Sequence, residues 1–477
     1  MATKKDLVEA YAFSRRRLVT AFVSGAPGGR EVEPSRPGRT ILGGVALAVL
    51  LVAGAAIAGV FDKRSEVDWS EPGLIADDDT GALYVILEEV PGSDEPTLRS
   101  VVNVTSAQLI LGSNQAPIDV PSEEIAKRPK GPAIGIVNAP ATVPDPAQLI
   151  DEGWTACTGT GLGVKVDVHT EPDVTLAPEA GLVVKHRGDH YLVAEGPATA
   201  DGTPERAYTY RFPEKGSGLY DALGVVAAHD AIKVSDEWFD LFPEGGALDA
   251  SSFDVDGIGQ KAPATLEELP RKARIGDFLV QDDQPLMVVP DGYARLDEFS
   301  MAVLAHSRFG KFRPQLLEVD GIVEDTRVDE PYLAARWPRE LPQGSRYLSE
   351  QEVCAVLEPT AEAQPGVTIG LQPGERASAD GTVEGDPPEV AVESGHGAMV
   401  WTGGWYSEDG GSPVLLDDRG IFYPLQPDGF TVSSLGYGGL PETVVPDAWT
   451  ELFDEGVELS RDAALCPPAT PSTKSCA

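Results

Sequence analysis

The sequence predicts an α+β protein: a single transmembrane helix followed by a large elongated ectodomain of several repeat modules around a central domain. Three observations predict it. The 22 residues from Thr40 to Phe61 contain no charge, no Pro and no Asn, Gln or His. Beyond them, short β-like runs alternate with turn signals, and helical patches are brief. Within that region one apolar pattern occurs twice, with identical spacings from its Val onward.

Composition agrees. The 477 residues carry 76 Asp plus Glu against 37 Lys plus Arg, a formal net charge of −39. At roughly 100–200 residues per domain, this length holds several folding units and a substantial core. A hydrophobic content of 42% argues against wholesale disorder, and 51 Gly with 40 Pro disfavour a helical bundle or long coiled coil. The acidity argues against a nucleic-acid partner, because binding a polyanion needs clustered positive charge.

Residues 1–39 come first. Leu7, Tyr11, Leu18 and Phe22 recur at spacings near four and seven, with Ala10 and Ala21 beside them. They predict a helix over 6–23 with Arg15, Arg16 and Arg17 on the opposite side. It is either a membrane-surface or partner-binding element, or only a positive-inside determinant. Residues 24–38, rich in Gly, Pro and Arg, read as a linker.

As a helix, residues 40–61 cover roughly 33 Å, enough for a hydrocarbon core of ~30 Å. A buried core helix rarely runs so long without a polar residue. The apolar part of a cleaved signal peptide begins nearer the N-terminus. Residues 1–39 hold eight Lys/Arg and four acids, which places the N-terminus in the cytoplasm. The other 29 bases and 72 acids, a net of −43, then lie in residues 62–477, outside a cell membrane.

Strands are predicted at Ala82–Leu87, Val164–Val168, Leu182–Lys185, Tyr191–Ala194, Phe278–Val280 and Ile421–Tyr423. The duplicated pattern runs from Leu223-Gly224 through Val234, Asp236, Trp238, Leu241, Phe242, Glu244 and Gly245 to Leu248. It returns as Leu435-Gly436, Val445, Asp447, Trp449, Leu452, Phe453, Glu455, Gly456 and Leu459. The spacing of Trp and the two Leu predicts one apolar stripe on a short helix. Asp236 and Asp447 are the expected N-caps, and Gly245 and Gly456 the C-terminal glycines. Trp238, Leu241, Phe242, Trp449, Leu452 and Phe453 thus read as packing residues. Leu111-Gly112 with Val120-Pro121 is a weaker echo, and 275–299 a further candidate copy.

The resulting division is a cytoplasmic helix and linker at 1–39, a span at 40–61, an ectodomain at 62–465 and a flexible tail at 466–477. Repeat modules are expected near 73–137, 170–250, 251–330 and 396–465, around a central part near 138–169 and 331–395. Residues 355–395, rich in Pro, Gly, Glu and Ala, read as an irregular insert. All four cysteines, Cys157, Cys354, Cys466 and Cys476, fall in the ectodomain, and an even number there favours disulfides. Three pairings are open.

A set of separate stretches resembles the EccB family, a membrane component of actinobacterial type VII (ESX) secretion systems. Before the span these are Lys5-Asp6, Tyr11, Phe13, Arg15-Arg16-Arg17-Leu18 and Ala21. After it come Trp69-Ser70, Thr80-Gly81, Tyr84-Val85, Val102-Asn103 and the run Thr105-Ser106-Ala107-Gln108-Leu109-Ile110-Leu111-Gly112. Gly131–Ile136, Ala139-Pro140, Trp154 with Cys157, Asp418-Arg419-Gly420, Tyr423-Pro424 and Leu435-Gly436-Tyr437 extend it over most of the chain.

The resemblance implies repeat domains about a central domain, structural similarity to cell-wall-binding modules, and a disulfide joining Cys157 to Cys354. Cys466 and Cys476 are a second possible pair. It also implies assembly with EccC-, EccD- and EccE-like membrane subunits, with a mycosin-type protease associated outside, with other copies of itself, and with peptidoglycan as a candidate ligand.

Some members of the family are described as ATPases, yet a phosphate loop Gly-x4-Gly-Lys-Ser/Thr is absent, Gly310-Lys311 being followed by Phe. Gly-x-Ser-x-Gly is also absent, and Gly216-Ser217-Gly218 reads as a turn. His186 and His190 flank Gly188-Asp189 and read as exposed loop histidines. Asp77-Asp78-Asp79 and Asp254-x-Asp256-Gly257 lack the distal Glu of a calcium loop and read as solvated turns. No catalytic residue, cofactor or metal is assigned. The expectation is a structural subunit of the secretion membrane complex, inclined away from enzymatic activity, with an ATPase or a wall-binding envelope protein as alternatives.

Overall fold

A computed structural model describes residues 3–24, 68–69, 71–87, 97–158, 163–200, 202–214, 217–319, 327–328, 330–343, 352–361, 363–372, 387–407 and 411–468. The span expected at 40–61, most of the linker before it and residues 469–477 lie outside these. No helix among the described residues is long and apolar enough to cross a membrane. The chain divides into two compact units, 1–66 and 67–477.

In the first unit, the described side chains of α1 (Lys4–Ser24) are exposed apart from half-buried Ala12, and Leu7, Tyr11, Leu18 and Phe22 are among the exposed ones. At about 100° per residue these four fall within about 60° of one another. Arg15, Arg16 and Arg17 are consecutive, so they fan over about 200°, and Arg15 lies beside the apolar stripe. Arg16 thus lies on the side opposite the stripe, Arg17 on the flank, and Arg15 departs from the expected far side.

The second unit builds one plan four times: a three-strand antiparallel meander, a helix, a segment parallel to the first strand, and a last segment parallel to the third. Module one has β1 (Gly73–Asp77), β2 (Leu83–Leu87), β3 (Thr97–Ser100), α2 (Val104–Leu111), β4 (Ile118–Val120) and α3 (Ser122–Ala126). β4 lies parallel to β1, and Lys130 pairs with Leu98 of β3. β5 (Trp154–Thr158), β6 (Val164–Val168) and β7 (Thr175–Leu176) follow.

Module two has β8 (Leu182–His186), β9 (Asp189–Gly196), β10 (Arg206–Arg211), α4 (Ser217–Ala222), β11 (Ile232–Lys233) and α5 (Asp236–Phe239). β11 is parallel to β8, and Glu244 pairs with Thr209 of β10. Ser217 and Gly218 open α4, so they do not form the expected turn. In module three, β12 (Phe278–Gln281), β13 (Gln284–Val289) and β14 (Gly292–Arg295) precede α6 (Glu298–His306). Leu316 then meets Phe278 in a single parallel bridge, and β15 (Arg327–Val328) pairs with β14.

β16 (Glu352–Glu358), β17 (Thr360–Ala361), β18 (Gly366–Gln372) and β19 (Glu389–Val392) correct the irregular insert expected at 355–395. The central sheet runs β19-β6-β5-β16-β18-β7, so segments some two hundred residues apart share one sheet. Its inner strands β5, β16 and β18 are buried on both faces over most of their length and read as continuous apolar runs, which the flanking Pro and Gly obscure.

Module four has β20 (Ala398–Gly403), β21 (Pro413–Leu416), β22 (Ile421–Pro424), α7 (Gly429–Ser434), β23 (Thr443–Pro446), α8 (Asp447–Thr450) and β24 (Asp454–Glu455), followed by α9 (Arg461–Ala464). β23 is parallel to β20 and β24 to β22, while β17 adds to the outer edge of β23.

The cores follow this plan. Modules two and three share one through Leu219 of α4 and Leu223 just after it with Phe299, Val303 and Leu304 of α6. Modules one and four share another through Leu109 and Ile110 of α2 with Leu435, Tyr437 and Leu459. Trp238 and Trp449 both join the core of the central sheet.

The recurrent Leu-Gly closes a helix. Gly112, Gly224 and Gly436 each follow the helix of their module with φ of 71°, 69° and 93°, a left-handed conformation that favours glycine. The rest of the duplicated pattern folds differently from the expected helix. α5 and α8 are single turns. Ser235, not Asp236, caps α5, its side chain accepting from the Trp238 N–H, and Pro446 precedes Asp447 with no side-chain cap. Asp236 and Asp447 are therefore the first helical residues, where their charge suits the helix dipole. Beyond the turn the chain is extended: Gly245 donates to Thr209 O and Leu248 to Arg211 O, as Gly456 does to Phe422 O and Leu459 to Pro424 O. The two glycines sit against strand aromatics, not at helix ends.

Candidate functional sites

Cys157 on β5 and Cys354 on β16 are direct partners in the antiparallel register and are joined by a disulfide. Cys466 is buried and also disulfide-bonded, and its carbonyl accepts from Gly135 N–H. Cys476 lies outside the described residues.

Trp238, Leu241, Phe242, Trp449, Leu452 and Phe453 are all buried in the central core. The Trp238 Nε1 donates to Ala156 O of β5 at 3.0 Å. Phe453 stands edge-on to Trp154, ring centroids 5.7 Å apart.

A junction that sequence reasoning missed centres on Arg206, the first residue of β10, which is 0% exposed. Its Nη1 donates to Pro365 O at 3.0 Å and Trp405 O at 2.6 Å, and its Nε to the Tyr208 hydroxyl at 3.1 Å. Module two is thereby tied to the central region and to module four. Arg336 Nη1 donates to the same hydroxyl at 3.1 Å, and the Tyr406 ring lies 4.8 and 5.1 Å from the two guanidinium carbons. Arg206, Tyr208 and Tyr210 alternate along β10, so one face of the strand carries all three; that period of two is the available signal. On the neighbouring strand, burial, with the charges of Glu205 and Glu358, pushes the Glu195 carboxyl up to about 7.

A cleft of about 610 Å³ lies between modules two and four, lined by His186, Arg187, Phe239, Glu244, Trp405 and Asp447 among others. His186 is buried, not an exposed loop residue: the turn is Arg187-Gly188, which leaves His186 on β8. Its ring stacks on Phe239 at 4.0 Å, and its Nε2 lies 2.6 Å from Asp236 Oδ1. Arg187 and His186 hold the Asp236 carboxyl below the usual carboxylate range. His190, on β9, faces Lys185. The described lining residues of the cleft include no Ser or Cys, and its side-chain hydroxyls are those of Tyr191 and Thr209.

The Asp77, Asp78 and Asp79 carboxylates lie together. Asp77 Oδ1 accepts from Ser122 Oγ at 2.5 Å and from the N–H groups of Asp79 and Thr80, an Asx turn that uses its lone pairs locally. Gly310-Lys311 forms the tip of a Phe309–Phe312 hairpin, a geometry with no helix N-terminus to cradle a phosphate.

Residues 1–470 match the family described as type VII secretion system ESX-1, transport TM domain B, or EccB. The chain belongs to the EccB family. Relatives include the ESX-1 secretion system ATPase EccB1 of Mycolicibacterium smegmatis, 26% identical over 90% of this chain and 87% of its own. The protein of the same name from Mycobacterium tuberculosis is 25% identical over 99% of this chain and 97% of its own. Among solved structures, a chain of an intact ESX-5 inner membrane complex aligns with a TM-score of 0.60 and 24% identity, over 98% of this chain and 96% of that one. An EccB3 dimer from the ESX-3 core complex aligns at 0.58 with 22% identity, over 83% and 100%. The α+β, sheet-rich architecture is thus that of EccB proteins.

Proposed function

We propose that this chain is a structural subunit of a type VII secretion membrane complex, organising it on the extracytoplasmic side. Residues 40–61 would anchor it in a single pass, with residues 1–39 cytoplasmic and 62–477 outside. The observation that carries this is four copies of one unit locked to a disulfide-closed central sheet, in a chain that matches the EccB family over 1–470. Buried polar groups such as Arg206 serve cohesion between modules, which is what a scaffold requires. Family membership supports EccC-, EccD- and EccE-like subunits, a mycosin-type protease and further EccB copies as partners; the disulfide-bonded state of Cys466 supports a bond to Cys476 closing the tail.

The test is an affinity pull-down of the tagged, detergent-solubilised protein from its native membranes, read by native gel and mass spectrometry. A megadalton-scale band containing EccC-, EccD- and EccE-like proteins is expected, and deletion of residues 6–23 should disperse it. Recovery as a lone monomer would overturn the reading.

The names of the relatives favour a second reading, an ATPase. Phosphate release by the purified chain above a mock preparation would support it; release equal to the mock would exclude it.

A further inference from the structure

Module three departs from its sisters at one edge. In modules one and four the segment after the helix forms a strand of three or four residues against the first strand of the meander, β4 on β1 and β23 on β20. In module three, among the described residues, it touches β12 at one point: Phe278 N–H donates to Gln315 O and Leu317 N–H to Phe278 O. Phe278 uses its backbone groups outward, so Val280, two residues on, points its own N–H and C=O to the same side. Its inward neighbour in register is Pro285, which has no N–H to offer. Among the described residues neither backbone group of Val280 has a partner. The Val280 side chain is 49% exposed and that of Leu316 60%.

Charge is concentrated beside this edge. Lys261, Arg271, Lys272, Arg274, Arg308, Lys311 and Arg313 are all exposed, in a chain of net −39. Over residues 258–276 and 308–315 only Glu267 and Glu268 oppose them. Lys261 and Arg274 face each other across a bridge, and the Phe309–Phe312 hairpin packs on Gly259 and Gly276, so loop and hairpin form one surface. None of the seven makes a salt bridge to a carboxylate among the described residues. The nearest acid beneath them, Asp277, is buried and spends its oxygens on the N–H groups of Arg274 and Gln315.

We infer that the outer edge of β12 accepts an extended, acidic polypeptide segment as an added strand. Main-chain bonds to Val280 supply affinity, Val280 and Leu316 take apolar side chains, and the basic rim selects alternating carboxylates. Neither the open edge nor the charge depends on the family assignment.

The full chain in detergent is titrated with a labelled eight-residue peptide of alternating Glu and Val, read by fluorescence anisotropy, with hydrogen exchange followed at Val280. The expected result is saturable binding and slowed exchange at Val280. Salt should weaken the binding. Lys311→Glu with Arg313→Glu should weaken it by at least about tenfold, the two residues lying on an exposed hairpin. Val280→Pro should abolish it. Equal binding of an alternating Lys–Val peptide would overturn the proposal. So would binding of phosphatidylglycerol vesicles with unchanged exchange at Val280, which would mark the patch as a lipid contact.

Discussion

The Trp238 indole donates to the carbonyl of Ala156 at 3.0 Å, whereas its counterpart Trp449 is equally buried with its Nε1 unpartnered among the described residues. Two copies of one sequence pattern thus dock on one sheet with different polar bookkeeping. Replacing either by Phe removes similar volume, but Trp238→Phe loses the bond to Ala156 O, whereas Trp449→Phe removes a buried donor that has no partner among the described residues. Urea unfolding should show Trp238→Phe to be the costlier change by about 1–2 kcal/mol. Equal losses would mean that the hydrogen bond contributes nothing net.

A Cβ placed on Gly245 would lie 2.3 Å from the Tyr210 ring, and one on Gly456 2.6 Å from the Tyr423 ring. Both aromatics are fully buried and cannot swing away. Gly245→Ala and Gly456→Ala should each destabilise by about 1–3 kcal/mol through overpacking. Gly429→Ala, with open space around its Cβ, serves as the control and should be neutral or slightly stabilising. Thermal melts of the three variants decide this.

The Cys157–Cys354 bond closes a loop with a sequence separation of 197. In the chain-entropy account, a loop of that size restricts the unfolded chain by about 5 kcal/mol. The Cys157→Ser, Cys354→Ser double variant should lose stability on that scale and stop responding to reductant at this bond. A melting temperature unchanged from wild type would show that the strand pairing of β5 and β16 suffices alone.

Glu195 has its carboxyl raised to about 7 by burial and by Glu205 and Glu358. A raised acid binds more protons in the folded state than in the unfolded one. Its contribution is therefore fully present below the ordinary Glu range near 4.5 and is lost as pH rises through about 7. Glu195→Gln should flatten that slope, and the gain at pH 8 relative to pH 5 should be on the order of 1–2 kcal/mol after allowance for partial solvent access. Melts of both proteins across pH 4–8 measure it; parallel curves would refute the assignment.

Much of the architecture was legible because it is local. The strand runs at 164–168, 182–186 and 421–424 and the helix at 4–24 follow from turn chemistry and periodicity along a few residues, whereas the Leu-Gly pairs show in the sequence only as part of the repeat and not as helix closures. The duplicated Val–Asp–Trp pattern marked two copies of a unit, and its Trp residues are core residues in the structure. What failed was the period: Leu241 and Leu248 were read on a helix, but the chain leaves the helix at Asp240 and runs beside β10. Short apolar spacings do not distinguish one helical turn followed by an extended segment from two or three turns.

By itself the sequence determined the composition-driven class, the expected anchor at 40–61, the repeated unit and the resemblance to EccB proteins, all properties of residues near one another in the chain. The tertiary structure alone decided which distant segments share a surface. The partnership of β5 with β16, the fate of residues 355–372 as strands, the burial of Arg206 against carbonyls 159 and 199 residues away and the bridge of Leu316 on Phe278 depend on long-range pairing. Such contacts leave no local periodicity, because their energy comes from residues brought together only after the chain has folded.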